Sequence, residues 1–107
     1  MHYLQPDGAF PPVSSAAKDG LLAIGGNLTT ARLLTAYKNG IFPWYTAGQP
    51  VLWWSPERRM VLFPKKLKVS KSLRKTIRSG KFTLRCNTNF AAVIANCAAV
   101  PRAGQSG

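Results

Sequence analysis

Val51-Leu-Trp-Trp-Ser-Pro-Glu-Arg-Arg-Met-Val-Leu-Phe-Pro64 decides how this chain is organised. Val51-Leu-Trp-Trp54 is aromatic and β-branched enough for a strand, and Ser55-Pro56 ends it. A second strand is predicted over Met60-Val-Leu-Phe63, stopped by Pro64. Between them the charge changes character. Residues 1–57 carry Lys18, Arg32 and Lys38 against Asp7, Asp19 and Glu57, whereas residues 58–107 carry twelve Lys or Arg and no acid. The formal charge of +12 therefore belongs entirely to the second part.

Upstream of this stretch, residues 1–20 show no sustained period, and Pro6, Gly8, Pro11 and Pro12 read as loop. Leu21-Leu-Ala-Ile24 is a short apolar piece closed by a turn at Gly25-Gly26. Thr29 or Thr30 caps a predicted helix with apolar positions Leu33, Leu34 and Tyr37, and Gly40 sits where a left-handed terminator belongs. Pro43 prevents that helix from continuing through Phe42.

Downstream, Ser70 is a good N-cap for a helix that carries Leu73 and Ile77 on one face and ends at Gly80. Phe82-Thr-Leu-Arg-Cys86 alternates with period two and reads as a half-buried strand. Phe90, Val93, Ile94 and Cys97 then repeat at i, i+3, i+4 and i+7, a helix capped by Asn87 or Thr88. From residue 60 the expected order is strand, helix, strand, helix, and the class is mixed, α+β.

With 107 residues and 46% apolar content the chain suits a small folded protein rather than a disordered one. No apolar run approaches the roughly 20 residues of a membrane span. Met1-His-Tyr-Leu-Gln-Pro-Asp7 lacks the basic and apolar regions of a secretory signal. Cys86 and Cys97 could form one bridge, but they read as two free, mostly buried thiols, suited to a reducing cytoplasm. The closing Pro101-Arg-Ala-Gly-Gln-Ser-Gly107 reads either as a frayed end or as a loop leading to a further element.

Eleven cations and no acid lie between Arg58 and Arg85. Like charges at i,i+4 (Lys71 with Lys75, Arg74 with Arg78) repel with no acid to offset them. A phosphate backbone would relieve that repulsion; a solvated face and an anionic membrane stay open as alternatives. Candidate backbone contacts are Arg58, Arg59, Lys65, Lys66, Lys68, Lys71, Arg74, Lys75, Arg78 and Lys81.

Trp53 and Trp54 point to opposite faces of a strand, so only one faces a given core. Trp44 follows Pro43 between Phe42 and Tyr45, where an indole face is available for base stacking. Gly25-Gly26 lacks the context of a nucleotide-binding loop. One histidine near the terminus, His2, and three dispersed acids leave hardly any general acid–base equipment, so no catalytic residue is assigned.

Several of these stretches resemble the bacterial leucyl/phenylalanyl-tRNA–protein transferases. They are Gly20-Leu-Leu-Ala-Ile-Gly-Gly-Asn-Leu28, Ala31-Arg-Leu-Leu-Thr-Ala-Tyr37, Gly40-Ile-Phe-Pro-Trp-Tyr45, Leu52-Trp-Trp-Ser-Pro-Glu-Arg-Arg59, Ser70-Lys-Ser-Leu-Arg74 and Cys97-Ala-Ala-Val-Pro-Arg102. The resemblance runs from about Gly20 to Gly107; the first nineteen residues match loosely.

It implies a soluble cytoplasmic aminoacyltransferase, without metal, cofactor or membrane, and monomeric at full length. Such an enzyme moves Leu or Phe from aminoacyl-tRNA to the N-terminal Arg or Lys of acceptor proteins, marking them for degradation by the N-end rule. It implies a small N-terminal domain, 1–57, followed at 58–107 by the incomplete start of an acetyltransferase-like catalytic domain. Trp44 matches the family tryptophan that stacks on the terminal adenine of the tRNA, and Phe42 lines the same region. The family's second adenine-stacking tryptophan, its later acidic residues and its Leu/Phe pocket fall beyond the position of Gly107. The expectation is a fragment without transfer activity. A stand-alone basic RNA-binding module is the alternative.

Overall fold

The computed structural model describes residues 1–104. They fall into two compact units, Met1–Arg59 and a second that begins at Met60. The closing residues 105–107, part of the tail read above as a frayed end or a connecting loop, lie outside the described residues.

The first unit is a four-stranded sheet with one helix. Its strands are β1 (His2–Leu4), β2 (Leu21–Gly25), β3 (Phe42–Pro43) and β4 (Leu52–Trp54), in the order β1-β2-β4-β3. β1 runs parallel to β2, while β2–β4 and β3–β4 are antiparallel. A register irregularity lies between Leu21 and Ala23, which pair with the consecutive residues Trp54 and Trp53. One extra residue on β2 breaks strict alternation there. That is how the neighbours Leu22 and Ala23 both come to be buried.

Helix α1 (Thr30–Lys38) starts where Thr29 Oγ1 accepts from the backbone N–H of Arg32. It ends in a Schellman motif: Gly40 N–H donates to Tyr37 O and Ile41 N–H to Ala36 O. Gly40 takes φ +70°, the left-handed turn expected of a terminator. The same motif buries Ala36 against Ile41, and these join Leu22, Ala23 and Trp53 in the core, flanked by Leu4, Phe10 and Leu33. Leu34 and Tyr37 are exposed, so the buried face of α1 is Leu33 and Ala36 instead of the wider stripe expected.

The second unit contains α2 (Lys71–Arg78) and α3 (Phe90–Ala99), with a 3-10 turn at Pro64–Lys66. Ser70 caps α2 as expected, its Oγ accepting from Leu73 N–H. The cap of α3 is Asn89; Asn87 instead occupies a left-handed turn at φ 58°. Among residues 60–104 no side chain is buried.

The α+β class is as expected, but three local expectations are corrected. Residues 60–63 and 82–86 are not strands. Their pattern suits a sheet, yet a strand exists only through a hydrogen-bonded neighbour, and neither segment has one among the described residues. Residues 2–4, in a stretch expected to carry no regular element, form β1, because three residues gain a ladder from β2 that no local pattern announces. Cys86 and Cys97 are free, as expected, but exposed, since the helix face bearing Cys97 is uncovered.

Candidate functional site

Trp53, Trp54 and Trp44 lie within one corner of the first unit but in three different environments. Trp53 is fully buried, meets Phe10 edge-to-face at 4.9 Å and donates its indole N–H to Gly25 O at 2.9 Å. It is a core residue with its one polar atom satisfied. Trp54, on the other face of β4, is half-buried and donates its indole N–H to Trp44 O at 2.8 Å. Trp44 itself donates its backbone N–H to Leu52 O at 2.9 Å. Both backbone groups of Trp44 are therefore engaged, while the residue is 61% exposed. A held backbone with an open indole leaves a flat aromatic face available to a ligand.

Beside it runs a shallow groove of about 490 Å³, lined by Tyr37, Gly40, Phe42, Pro43, Trp44 and Arg59 among others. Of the sequence candidates, the fold brings Phe42, Trp44 and Arg59 together here. Arg59 places its guanidinium 5.8 Å from the Phe42 ring centroid. Its Nε donates to Pro56 O at 3.1 Å, and its Nη2 donates to Ser55 Oγ at 3.3 Å and to Gly40 O. Ser55, itself buried, also donates its hydroxyl to Gly40 O at 3.2 Å. Sequence reasoning grouped Arg59 with the other cations; no spacing rule signals that it folds back on the end of α1. Arg58 is exposed.

The remaining candidates belong to the second unit. Lys65 and Lys66 lie on the 3-10 turn, Lys68 follows it, Lys71, Arg74, Lys75 and Arg78 are on α2, and Lys81 follows Gly80. All are exposed, and residues 58–107 contain no carboxylate side chain to pair with them. Lys66 and Lys81 lie over Phe63 and Phe82, with ammonium-to-ring distances of 5.6 and 5.5 Å. This alternation of cations and exposed rings suits a polyanion that also presents flat bases.

Among the described residues no group of three His, Cys, Asp or Glu side chains is placed to hold a metal, and no helix is long and apolar enough to cross a membrane.

Comparison with known proteins matches residues 26–57 to the leucyl/phenylalanyl-tRNA protein transferase N-terminal domain and residues 61–107 to the leucyl/phenylalanyl-tRNA protein transferase family. A leucyl/phenylalanyl-tRNA–protein transferase of Dechloromonas aromatica is 57% identical over 108 residues, covering 98% of this chain and 46% of that protein. The protein of that name from Flavobacterium johnsoniae is 52% identical over 107 residues, covering all of this chain and 50% of its own. The chain thus spans about half the length of the curated relatives it matches.

Proposed function

Since the chain belongs to the leucyl/phenylalanyl-tRNA–protein transferase family, we propose that its 107 residues supply the tRNA-gripping part of an aminoacyltransferase. The activity served is transfer of Leu or Phe from aminoacyl-tRNA to the N-terminal Arg or Lys of acceptor proteins, in the cytoplasm, as a mark for degradation. Residues 1–57 act as the N-terminal domain, and 58–107 as the start of an acetyltransferase-like catalytic domain. Trp44 stacks on the terminal adenine with Phe42 lining the groove. Arg58, Lys65, Lys66, Lys68, Lys71, Arg74, Lys75, Arg78 and Lys81 attract the phosphates.

The observation that carries this reading is the pairing of a fixed backbone with an open ring at Trp44. A single-stranded RNA end is recognised through its unstacked bases, and an aromatic face held in place is what such a base needs. Aminolysis of an aminoacyl ester depends heavily on holding ester and amine in a reactive geometry. The residues present contribute that positioning rather than acid–base chemistry: Asp7, Asp19, Glu57 and His2 are exposed and separate in sequence.

The test is a comparison of fluorescent acceptor-stem RNAs that end in CCA or lack the final adenosine. Losing one stack should weaken binding by about 1–3 kcal/mol, on the order of 5- to 150-fold. Equal affinity for the two RNAs would leave the alternative reading, a basic RNA-binding module without an end-specific site.

A further inference from the structure

We infer that Arg59 is a positioning residue for the Phe42-Pro43-Trp44 ledge, set by its guanidinium rather than by its charge alone. The ledge is the one proposed above to hold the terminal base, and the ligand is taken from that reading.

Chain direction explains why such a device is needed. The Schellman motif engages the carbonyls of Ala36 and Tyr37, and the carbonyl of Gly40 takes no part in it. It receives two donors instead, Ser55 Oγ and Arg59 Nη2. Both come from the segment just after β4, within which Arg59 Nε also donates to Pro56 O. The guanidinium plane thus joins the end of α1 to the exit of β4. Its central carbon lies over the ring of Phe42, two residues before Trp44.

β3 is only two residues long and contains a proline, which cannot donate to a ladder. Pairing alone therefore holds this ledge weakly, and the clamp acts at its start as the Trp54 indole acts at its end. Lysine cannot replace the arginine, because one ammonium on a flexible stem does not reproduce a planar fork that bonds two carbonyls and lies on a ring.

The experiment uses the 107-residue chain labelled with 5-fluorotryptophan, whose three resonances are assigned by single Trp→Phe variants. Arg59→Lys and Arg59→Ala should shift or broaden the Trp44 line while the Trp53 line, a reporter of the core, stays in place. Affinity for an aminoacyl-adenosine analogue should fall about tenfold in both, the equivalent of one lost hydrogen bond. The slope of log affinity for tRNA against log salt should be unchanged.

If Arg59→Ala loses the Trp53 line through unfolding, Arg59→Lys, which keeps the charge, decides. A Trp44 line unmoved in the folded variants overturns the positioning role. So does that result joined to a salt slope reduced by about 0.7–0.9, which would make Arg59 a phosphate contact. A Trp44 line that moves in a protein whose wild type binds no analogue keeps the clamp and removes the adenine-binding reading instead.

Discussion

The indole N–H of Trp54 bonds the backbone carbonyl of Trp44 across ten residues, at 2.8 Å. It couples the half-buried face of β4 to the exposed ring proposed to meet the RNA. One tryptophan thus serves as a bracket for another, and the adjacent Trp53 is committed to the core.

Trp54→Phe keeps a ring on that face and removes only the donor. Stability should fall by about 0.5–1.5 kcal/mol, the usual worth of one such bond. The Trp44 backbone amide, bonded to Leu52 O, should exchange with solvent faster. Amides of β2 should keep their protection. Hydrogen exchange read by NMR checks this, and an unaltered Trp44 amide would show that the bracket holds nothing.

Gly20 is a second point where the backbone leaves no choice. Its φ is +96°, and a Cβ there would lie 2.9 Å from the Cα of Pro56. Its carbonyl also accepts from Ser55 N–H at 2.7 Å, holding the segment that leads to Arg59. Gly20→Ala should cost more than about 1 kcal/mol, because strain and a backbone clash add in the folded state. A urea melt measures it, and an unchanged midpoint would mean that β2 and the segment after β4 separate easily.

The first unit was largely legible because its signals are local. A cap at Thr29, a terminator at Gly40 and a stop at Pro56 each act within a few residues. β1 was not, since its ladder depends on partners more than twenty residues away. Segments 60–63 and 82–86 misled for the converse reason: composition gives a residue the capacity to pair, and pairing needs a neighbour. At the site, the exposure of Trp44 agreed with its place after Pro43. The clamp by Arg59 could not be read, because a lone arginine in a basic run gives no sign of turning inward.

Binding to tRNA should weaken steeply as salt rises. The cations of residues 58–85 have no acidic side chain in their own part of the chain, so phosphates replace small ions around them. Several such contacts should cost orders of magnitude in affinity between about 50 and 200 mM salt. Fluorescence anisotropy over that range provides the measurement. A flat response from folded protein would make the basic stretch a solvated face.

The 107 residues alone should show transfer at the uncatalysed background when given Phe-tRNA and an Arg-initiated acceptor. They contain three separate acids and one histidine, and they span about half the length of relatives named as transferases. A full-length relative run in parallel supplies the positive control. Turnover above background would place the catalytic groups within residues 1–107.

Trp44→Ala separates stacking from packing. The residue is 61% exposed, so removing its ring should change stability by no more than about 1 kcal/mol. Trp53→Ala is the contrast: that ring is fully buried, and its loss should cost on the order of 3–5 kcal/mol, enough to unfold a small domain. Binding should divide the other way. Trp44→Ala should lose about 1–3 kcal/mol of affinity for an aminoacyl-adenosine analogue, while its salt-dependent attraction to tRNA persists. Urea melts and analogue titrations on the same sample read both quantities. Intact analogue binding in a folded Trp44→Ala protein would remove Trp44 from the site, and with it the observation on which the end-gripping reading stands.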